Sequence, residues 1–246
     1  MNKQPKKVLL IGGTKGIGLA LASTLAGRGY NVLATYGNDH DAATQAAQQI
    51  TKEHPQGLFT TLSTDIADPN SATQLYQYLA EQQWWPQVVI FNAGLTFRGS
   101  IASIPDTEWL RVFEGNVHFP FRLVKLLLPH LPKGSAILFT GSLMALHPHS
   151  MSMAYGVTKS AVHAMVRNLV KELEPYQIRV AGIAPGFVDT EWQKSKPHHI
   201  RQSIEAKVAQ HRFASAQEVA NAYLALIEND YFNGDILTLS GGYNYQ

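Results

Sequence analysis

Two side chains four residues apart, Tyr155 and Lys159, carry the most pointed chemistry in this sequence. At that spacing on a helix they share one face. A free phenol titrates near ~10 and is a poor base at neutral pH. An ammonium beside it favours the phenolate and is expected to lower that value, so that Tyr155 can exchange a proton with an oxygen of a bound molecule. A second pattern stands near the start of the chain. Gly12-Gly13-Thr14-Lys15-Gly16-Ile17-Gly18 follows the apolar run Val8 to Ile11 and precedes a helical stripe of Ile17, Leu21 and Leu25. Glycines here permit a tight turn and a close approach of backbone to pyrophosphate, and the helix start behind them offers free amides. From these residues alone, a glycine-rich beginning to an ordinary helix reads the same way.

Positioning such groups needs a framework, and the chain alternates short apolar runs with longer helical patterns. Strands are predicted at Val8–Ile11, Val32–Tyr36, Leu58–Leu62, Val88–Phe91, Ala136–Thr140, Ile178–Ile183 and Ile236–Leu239. Helices are predicted over Gly16–Arg28, Asp39–Lys52, from Asp68-Pro69 to Gln83, over Met153–Leu173 and over Ser215–Glu228, with one long helix from Pro105-Asp106 to His130. Such alternation predicts an α/β fold: a seven-stranded, mostly parallel, doubly wound sheet covered by helices on both faces, with ligands at the carboxyl ends of the strands. No break separates a second core, so residues 1–246 read as one domain.

Composition narrows the function classes. The 246 residues are 45% hydrophobic and 15% charged, which excludes a disordered chain. A chain of this size buries roughly 70% of its surface on folding. It has no cysteine, which removes disulfides, thiolate metal sites and cysteine nucleophiles. The net charge of +2 does not suggest a nucleic-acid partner. No apolar run approaches the ~18 residues of a membrane span, and Val8 to Ile11 is too short for a signal-peptide core, so a soluble cytoplasmic protein is expected. His147-x-His149 and His198-His199 lack an accompanying carboxylate pattern, so no metal is expected.

The ordered set of motifs resembles the short-chain dehydrogenase/reductase family, of the single-domain type, across essentially the whole chain. The glycine spacing is Gly-x-x-x-Gly-x-Gly; Asn92-Ala93-Gly94 follows the fourth strand; Ser142 precedes Tyr155-x-x-x-Lys159 by 13 residues; Pro185-Gly186-Phe187-Val188-Asp189-Thr190 follows the sixth strand; Gly241-Gly242 closes the chain. The resemblance implies a Rossmann-like fold and an enzyme that interconverts a carbonyl and a secondary alcohol. It implies catalytic roles for Tyr155 as proton donor or acceptor, for Ser142 as a hydrogen-bonding partner of the reacting oxygen, for Lys159 on the nicotinamide ribose and for Asn116 on a relay water. It further implies dinucleotide contacts from Gly12, Thr14, Lys15, Gly16, Ile17 and Gly18, from Tyr36 and Asn38, from Asp65 and Ile66, from Asn92, Ala93 and Gly94, from Tyr155 and Lys159, and from Pro185, Gly186, Val188 and Thr190. The pattern departs from the family at Ile11, Phe91, Ala181 and Ser240. The apolar Ile11 and Phe91 must leave the family's hydrogen bonds there absent or rerouted.

Thr35-Tyr36-Gly37-Asn38 at the end of the second strand holds no acid, the first being Asp39, so no carboxylate stands there to repel a 2′-phosphate, and Lys15 matches a basic position of NADP-dependent relatives. NADP(H) is therefore expected over NAD, although an arginine frequent in such relatives is missing. Met144, His149, Phe187 and Trp192 are expected to line an apolar substrate pocket. The segment after Pro185 has a length similar to that of 3-oxoacyl-acyl-carrier-protein reductases, so a 3-oxoacyl thioester on acyl-carrier-protein or CoA is the expected substrate, with other ketones or secondary alcohols as alternatives. Arg98, Lys194 and Arg201 are candidates for a basic mouth facing a carrier protein. The family implies a homodimer or homotetramer, with Phe119, Phe121, Met165 and Tyr243 as apolar candidates for its contacts. A non-catalytic dinucleotide-binding sensor or scaffold is a second class, which loss of Tyr155 or Lys159 would have favoured; a sugar-nucleotide epimerase is a third, usually with a longer chain.

Overall fold

The computed structural model describes residues 5–148, 152–194 and 196–243. The runs of β-branched and aliphatic residues form seven parallel strands: β1 (Lys7–Ile11), β2 (Asn31–Tyr36), β3 (Leu58–Ser63), β4 (Val88–Phe91), β5 (Ala136–Thr140), β6 (Arg179–Pro185) and β7 (Ile236–Leu239). Their order across the sheet is β3-β2-β1-β4-β5-β6-β7. After β3 the chain returns past β1 to lay down β4 on its other side. The winding reverses between β1 and β4, and such a reversal opens a crevice at the carboxyl ends of the strands.

Both sheet faces are buried, and the strands divide their side chains between them with period two. Val8 and Leu10 point into one core with Leu21 and Leu25 of α1 (Gly16–Gly27), Ile50 of α2 (His40–Glu53) and Tyr223 and Ile227 of α9 (Ala216–Glu228). Leu9 and Ile11 point into the other, with Leu75 and Leu79 of α3 (Ser71–Glu81), Leu123 and Leu127 of α5 (Phe119–Leu127) and Val162 and Val166 of α6 (Met153–Leu173). Two of the departures from the family pattern belong to this second core: Ile11 is fully buried, and Phe91 stacks on Phe139 with ring centroids 5.0 Å apart. Stacked aromatic packing, about 0.5–1.5 kcal/mol beyond area burial, replaces polar contacts there.

The single helix expected from Pro105 to His130 is instead four segments. α4 (Asp106–Phe113) passes into a π-helical turn, Glu114–His118, then into α5, and a 3₁₀ turn ends it at His130. Pro120 explains the break. It has no N–H to give the carbonyl four residues back, that of Asn116. The next donor, the Phe119 N–H, reaches five residues back to Glu114. α3 starts at Ser71 rather than Asp68 because Asp68 turns its carboxylate onto the N–H of Asn70. α7 (Glu191–Lys194) and α8 (His198–Glu205) occupy a stretch where the sequence predicts no element. Among the described residues no helix is long and apolar enough to cross a membrane, and no cluster of metal-ligating side chains forms.

Candidate active site

The loops that leave β1, β2, β4, β5 and β6 converge on one cleft of about 480 Å³. At one end is the glycine turn. The N–H groups of Gly12 and Gly13 both donate to the Thr35 carbonyl, at 3.1 and 2.9 Å, which ties the turn to β2. Asn92 Nδ2 donates to the Gly12 carbonyl at 2.7 Å, which ties it to β4. Gly12 and Gly16 take positive φ, the conformation glycine adopts without strain. α1 has no acid in its first turn and no side-chain cap, so its leading amides are left for an anion. Gly12, Thr14, Lys15, Gly16 and Ile17 line this end. Gly18 does not: a Cβ there would lie 1.9 Å from the Gly12 carbonyl oxygen. The bare glycine there lets α1 close over the turn.

At the other end α6 and the loop after β5 bring the reactive groups together. The Ser142 side chain faces the Tyr155 hydroxyl and pulls its pKa down. Ser142 Oγ also accepts the Met144 N–H at 3.1 Å, which fixes its rotamer at the head of a 3₁₀ turn. One turn along α6, Lys159 Nζ lies 5.5 Å from the Tyr155 ring centroid and donates to the Thr140 carbonyl at 2.7 Å. One of the three ammonium donors is thereby used. Gly94 borders this ammonium, since a Cβ at that position would meet Nζ at 3.3 Å. Asn92, Ala93 and Gly94, with Pro185, Gly186, Val188 and Thr190, form the walls between the two ends, and Tyr36 and Asn38 close the far side. Met144, Phe187 and Trp192 line the cleft next to Tyr155, the Trp192 ring 6.0 Å from that of the tyrosine. His149 lies outside the described residues.

This arrangement, with the glycine turn and Tyr155-x-x-x-Lys159 facing one crevice, accompanies a match of residues 12–244 to the family described as enoyl-(acyl-carrier-protein) reductase. The chain is a short-chain dehydrogenase/reductase. This short-chain dehydrogenase/reductase is 29% identical over 246 residues to the 3-oxoacyl-[acyl-carrier-protein] reductase FabG of Escherichia coli, with 98% of each chain covered. It is 29% identical over 243 residues to the uncharacterised oxidoreductase YmfI of Bacillus subtilis, covering 97% of this chain and 99% of that one. Its fold matches a short-chain dehydrogenase from Burkholderia cenocepacia, solved in complex with NADP, with a TM-score of 0.89 at 27% identity over 99% of this chain and 100% of that one.

Several expected contacts fall elsewhere in this short-chain dehydrogenase/reductase. Asn116 is behind the cleft wall, in the π-helical turn. Its Oδ1 accepts the Leu95 N–H at 2.7 Å, and its Nδ2 donates to the Leu95 carbonyl and to Thr158 Oγ1, both at 2.9 Å. It borders a cavity of about 10 Å³ shared with Lys159, Ala93 and Thr140, close to the room one water needs. Asp65 and Ile66 are not among the residues lining the cleft: Asp65 is exposed and accepts the Ala67 N–H at 2.9 Å, and Ile66 is buried in the core beside Gly115. The end of β2 is acid-free up to Asp39, as the sequence reads. Asp39, three residues beyond the strand, lines the cleft and is ion-paired with Lys15. Of the three cations expected at a basic mouth, Lys194 is paired with Glu191, and Arg201 is paired with Asp189 and lies over the Phe213 ring. Of the apolar contact candidates, Phe119 is buried in the core, Met165 packs against that core, Tyr243 lies against Phe187, and Phe121 is exposed.

The electrostatics also depart from expectation. Burial pushes the Tyr155 hydroxyl above its ordinary value, with the Ser142 hydrogen bond pulling the other way. The expected lowering by Lys159 does not figure among these causes, and the Lys159 ammonium is itself held at about 8 by burial. Sequence reasoning missed His163, whose Nε2 accepts the Ser142 N–H at 3.3 Å; its place one further turn beyond Lys159 was the available signal. It also missed Tyr223, whose hydroxyl lies 2.5 Å from Thr140 Oγ1, and that oxygen reaches Asn92 Oδ1 at 3.2 Å. Nothing in the local sequence of α9 points to that contact.

Proposed function

We propose that this enzyme reduces a carbonyl to a secondary alcohol with NADPH, and that Tyr155, Ser142, Lys159 and Asn116 carry the proton chemistry. The observation that carries this reading is that Ser142, Tyr155 and Lys159 line one cleft whose opposite end is an uncapped helix start behind a glycine turn. The residues present fit a dinucleotide: Gly12 and Gly16 bend the turn, the leading amides of α1 and the Lys15 ammonium suit phosphates, and Gly94 leaves the Lys159 ammonium uncovered. When bound, the nicotinamide supplies the hydride. The protein supplies the rest. Tyr155, neutral because burial raises its hydroxyl, donates the proton to the substrate oxygen. Ser142 Oγ hydrogen-bonds the same oxygen and fixes its direction. The free donors of Lys159 suit ribose hydroxyls, and its contact with the water-sized cavity beside Asn116 gives Tyr155 a route to regain its proton.

The apolar wall of Leu143, Met144, Phe187 and Trp192, together with the relationship to FabG, supports a 3-oxoacyl thioester as substrate. The ion pairs that neutralise Lys194 and Arg201 favour a second reading, a free ketone or CoA thioester rather than a carrier-protein conjugate. Self-association belongs to the same proposal: Leu110, Phe121 and Val157 are exposed on α4, α5 and α6 at 62, 55 and 42%, and a second copy would cover them. NADPH absorbance followed against acetoacetyl thioesters and simple ketones tests the reading. Oxidation of NADPH by neither class refutes the reductase, faster turnover with NADH refutes the cofactor, and inert thioesters beside active ketones refute the acyl substrate.

A further inference from the structure

The adenosine end of the cleft is electrically self-cancelling. Among the described residues that line the cleft, the cations are Lys15 and Lys159 and the carboxylates are Asp39 and Glu191. Lys159 stands at the far end beside Tyr155, and Glu191 is paired with Lys194. Lys15 is therefore the lysine available to the adenosine end, and it is already paired with Asp39. His40 adds no free donor towards the cleft through Nδ1, which is hydrogen-bonded to the Tyr36 hydroxyl at 3.0 Å.

Asp39 is not a drifting surface acid. Its Oδ1 accepts the Ala42 N–H at 3.0 Å as the N-cap of α2, while Oδ2 meets Lys15. The hydrogen bond from Lys15, then the cap bond, hold its carboxyl below the usual range, so it is charged at neutral pH. Both partners of the ion pair are about half exposed, and such pairs are weak enough for a phosphate to displace one partner. Displacement frees Lys15 but not the site, because the cap keeps the Asp39 carboxylate anchored beside it.

We propose that Asp39 is a specificity-determining residue that opposes a 2′-phosphate, by occupying Lys15 and by placing a fixed negative charge where that phosphate must sit. The inference rests on the reading that the adenosine moiety binds at this end. It makes the wild-type cleft discriminate NADPH from NADH less sharply than Lys15 alone would. Repulsion between one carboxylate and a dianion a few ångströms away in a water-like dielectric corresponds to roughly tenfold in affinity.

Asp39→Asn removes the charge and keeps a capping side chain of equal rank; Asp39→Ser is a second variant with the same property. Calorimetric titration with 2′,5′-ADP and 5′-AMP, and with NADPH and NADH, reads the effect without turnover. Both variants are expected to bind 2′,5′-ADP and NADPH roughly tenfold more tightly and to leave 5′-AMP and NADH within about twofold. In a Lys15→Met background a gain is expected to persist, because the carboxylate there repels the phosphate without a lysine to neutralise it. A gain below about threefold, an equal gain for 5′-AMP, or no gain at all without Lys15 overturns the proposal. Failure of the NADPH reading itself appears separately, as tighter binding of NADH than of NADPH by the wild type, and the variant comparison is read the same way in that case.

Discussion

The backbone N–H of Ser142 donates to Nε2 of His163, 3.3 Å away on the buried face of α6. An accepting Nε2 places the imidazole proton on Nδ1 and requires a neutral ring. Gly141 makes the approach possible, since a Cβ there would lie 2.1 Å from the same nitrogen. Burial first, then the nearby charges of Arg167 and Lys159, holds His163 at about 4.

The consequence is an acid-side loss of stability. The folded-state value lies below the ordinary 6.5, so the unfolded chain binds the proton first as pH falls. The contribution of His163 is complete above pH 6.5 and is lost as pH falls through about 4. The melting temperature of the wild type is expected to drop across that interval, and His163→Gln, which keeps an acceptor but does not titrate, is expected to flatten the drop. An unchanged profile in the variant would assign the acid sensitivity to other groups.

Lys159 predicts an alkaline effect of opposite sense for activity and stability. Its ammonium is held at about 8, below the ordinary 10.5, by burial. Activity that needs the ammonium falls as pH rises through about 8. Stability of the cofactor-free protein instead rises between about 8 and 10.5, because the unfolded chain there binds more protons than the folded one. Lys159→Met is expected to abolish that rise, measured as melting temperature against pH.

Tyr155→Phe removes one hydroxyl and keeps the ring that faces Trp192. Turnover is expected to fall by about 10²–10⁴-fold, the usual contribution of a positioned proton donor. Dinucleotide affinity, measured by titration, is expected to stay within about twofold of wild type, because the hydroxyl faces Ser142 and not the glycine turn. Substantial residual turnover would remove Tyr155 from its assigned role.

Gly18→Ala tests the packing of α1 over the glycine turn. The new methyl would meet the Gly12 carbonyl oxygen at 1.9 Å, and a backbone atom held by Asn92 does not yield cheaply. A loss of about 1–3 kcal/mol in denaturant titrations is expected, together with weaker dinucleotide binding as Gly12 is displaced. Unaltered stability would mean that the turn relaxes around the methyl.

Much of this protein is written in local patterns. Short apolar and β-branched runs read as strands, the central ones buried on both faces, and their alternation with helical stripes prescribed the parallel, doubly wound sheet. Tyr155 and Lys159 declared themselves because a helix turns a spacing of four into a shared face. The break at Asn116 was present in Pro120 but hidden by the periodicity around it.

Other features depend on distances that no local pattern encodes. The pairing of Lys15 with Asp39 joins residues 24 apart, and that of Tyr223 with Thr140 joins residues 83 apart. Asp65 and Ile66 looked like cleft residues by position after a strand, yet the turn after β3 directs one to its own backbone and the other into the core. The direction of the Tyr155 shift was also beyond the sequence, because it follows from how completely the folded chain removes water from the phenol and the ammonium together. Residue types and spacings determined which groups could act; only the packing of distant segments decided which of them meet, and in what dielectric.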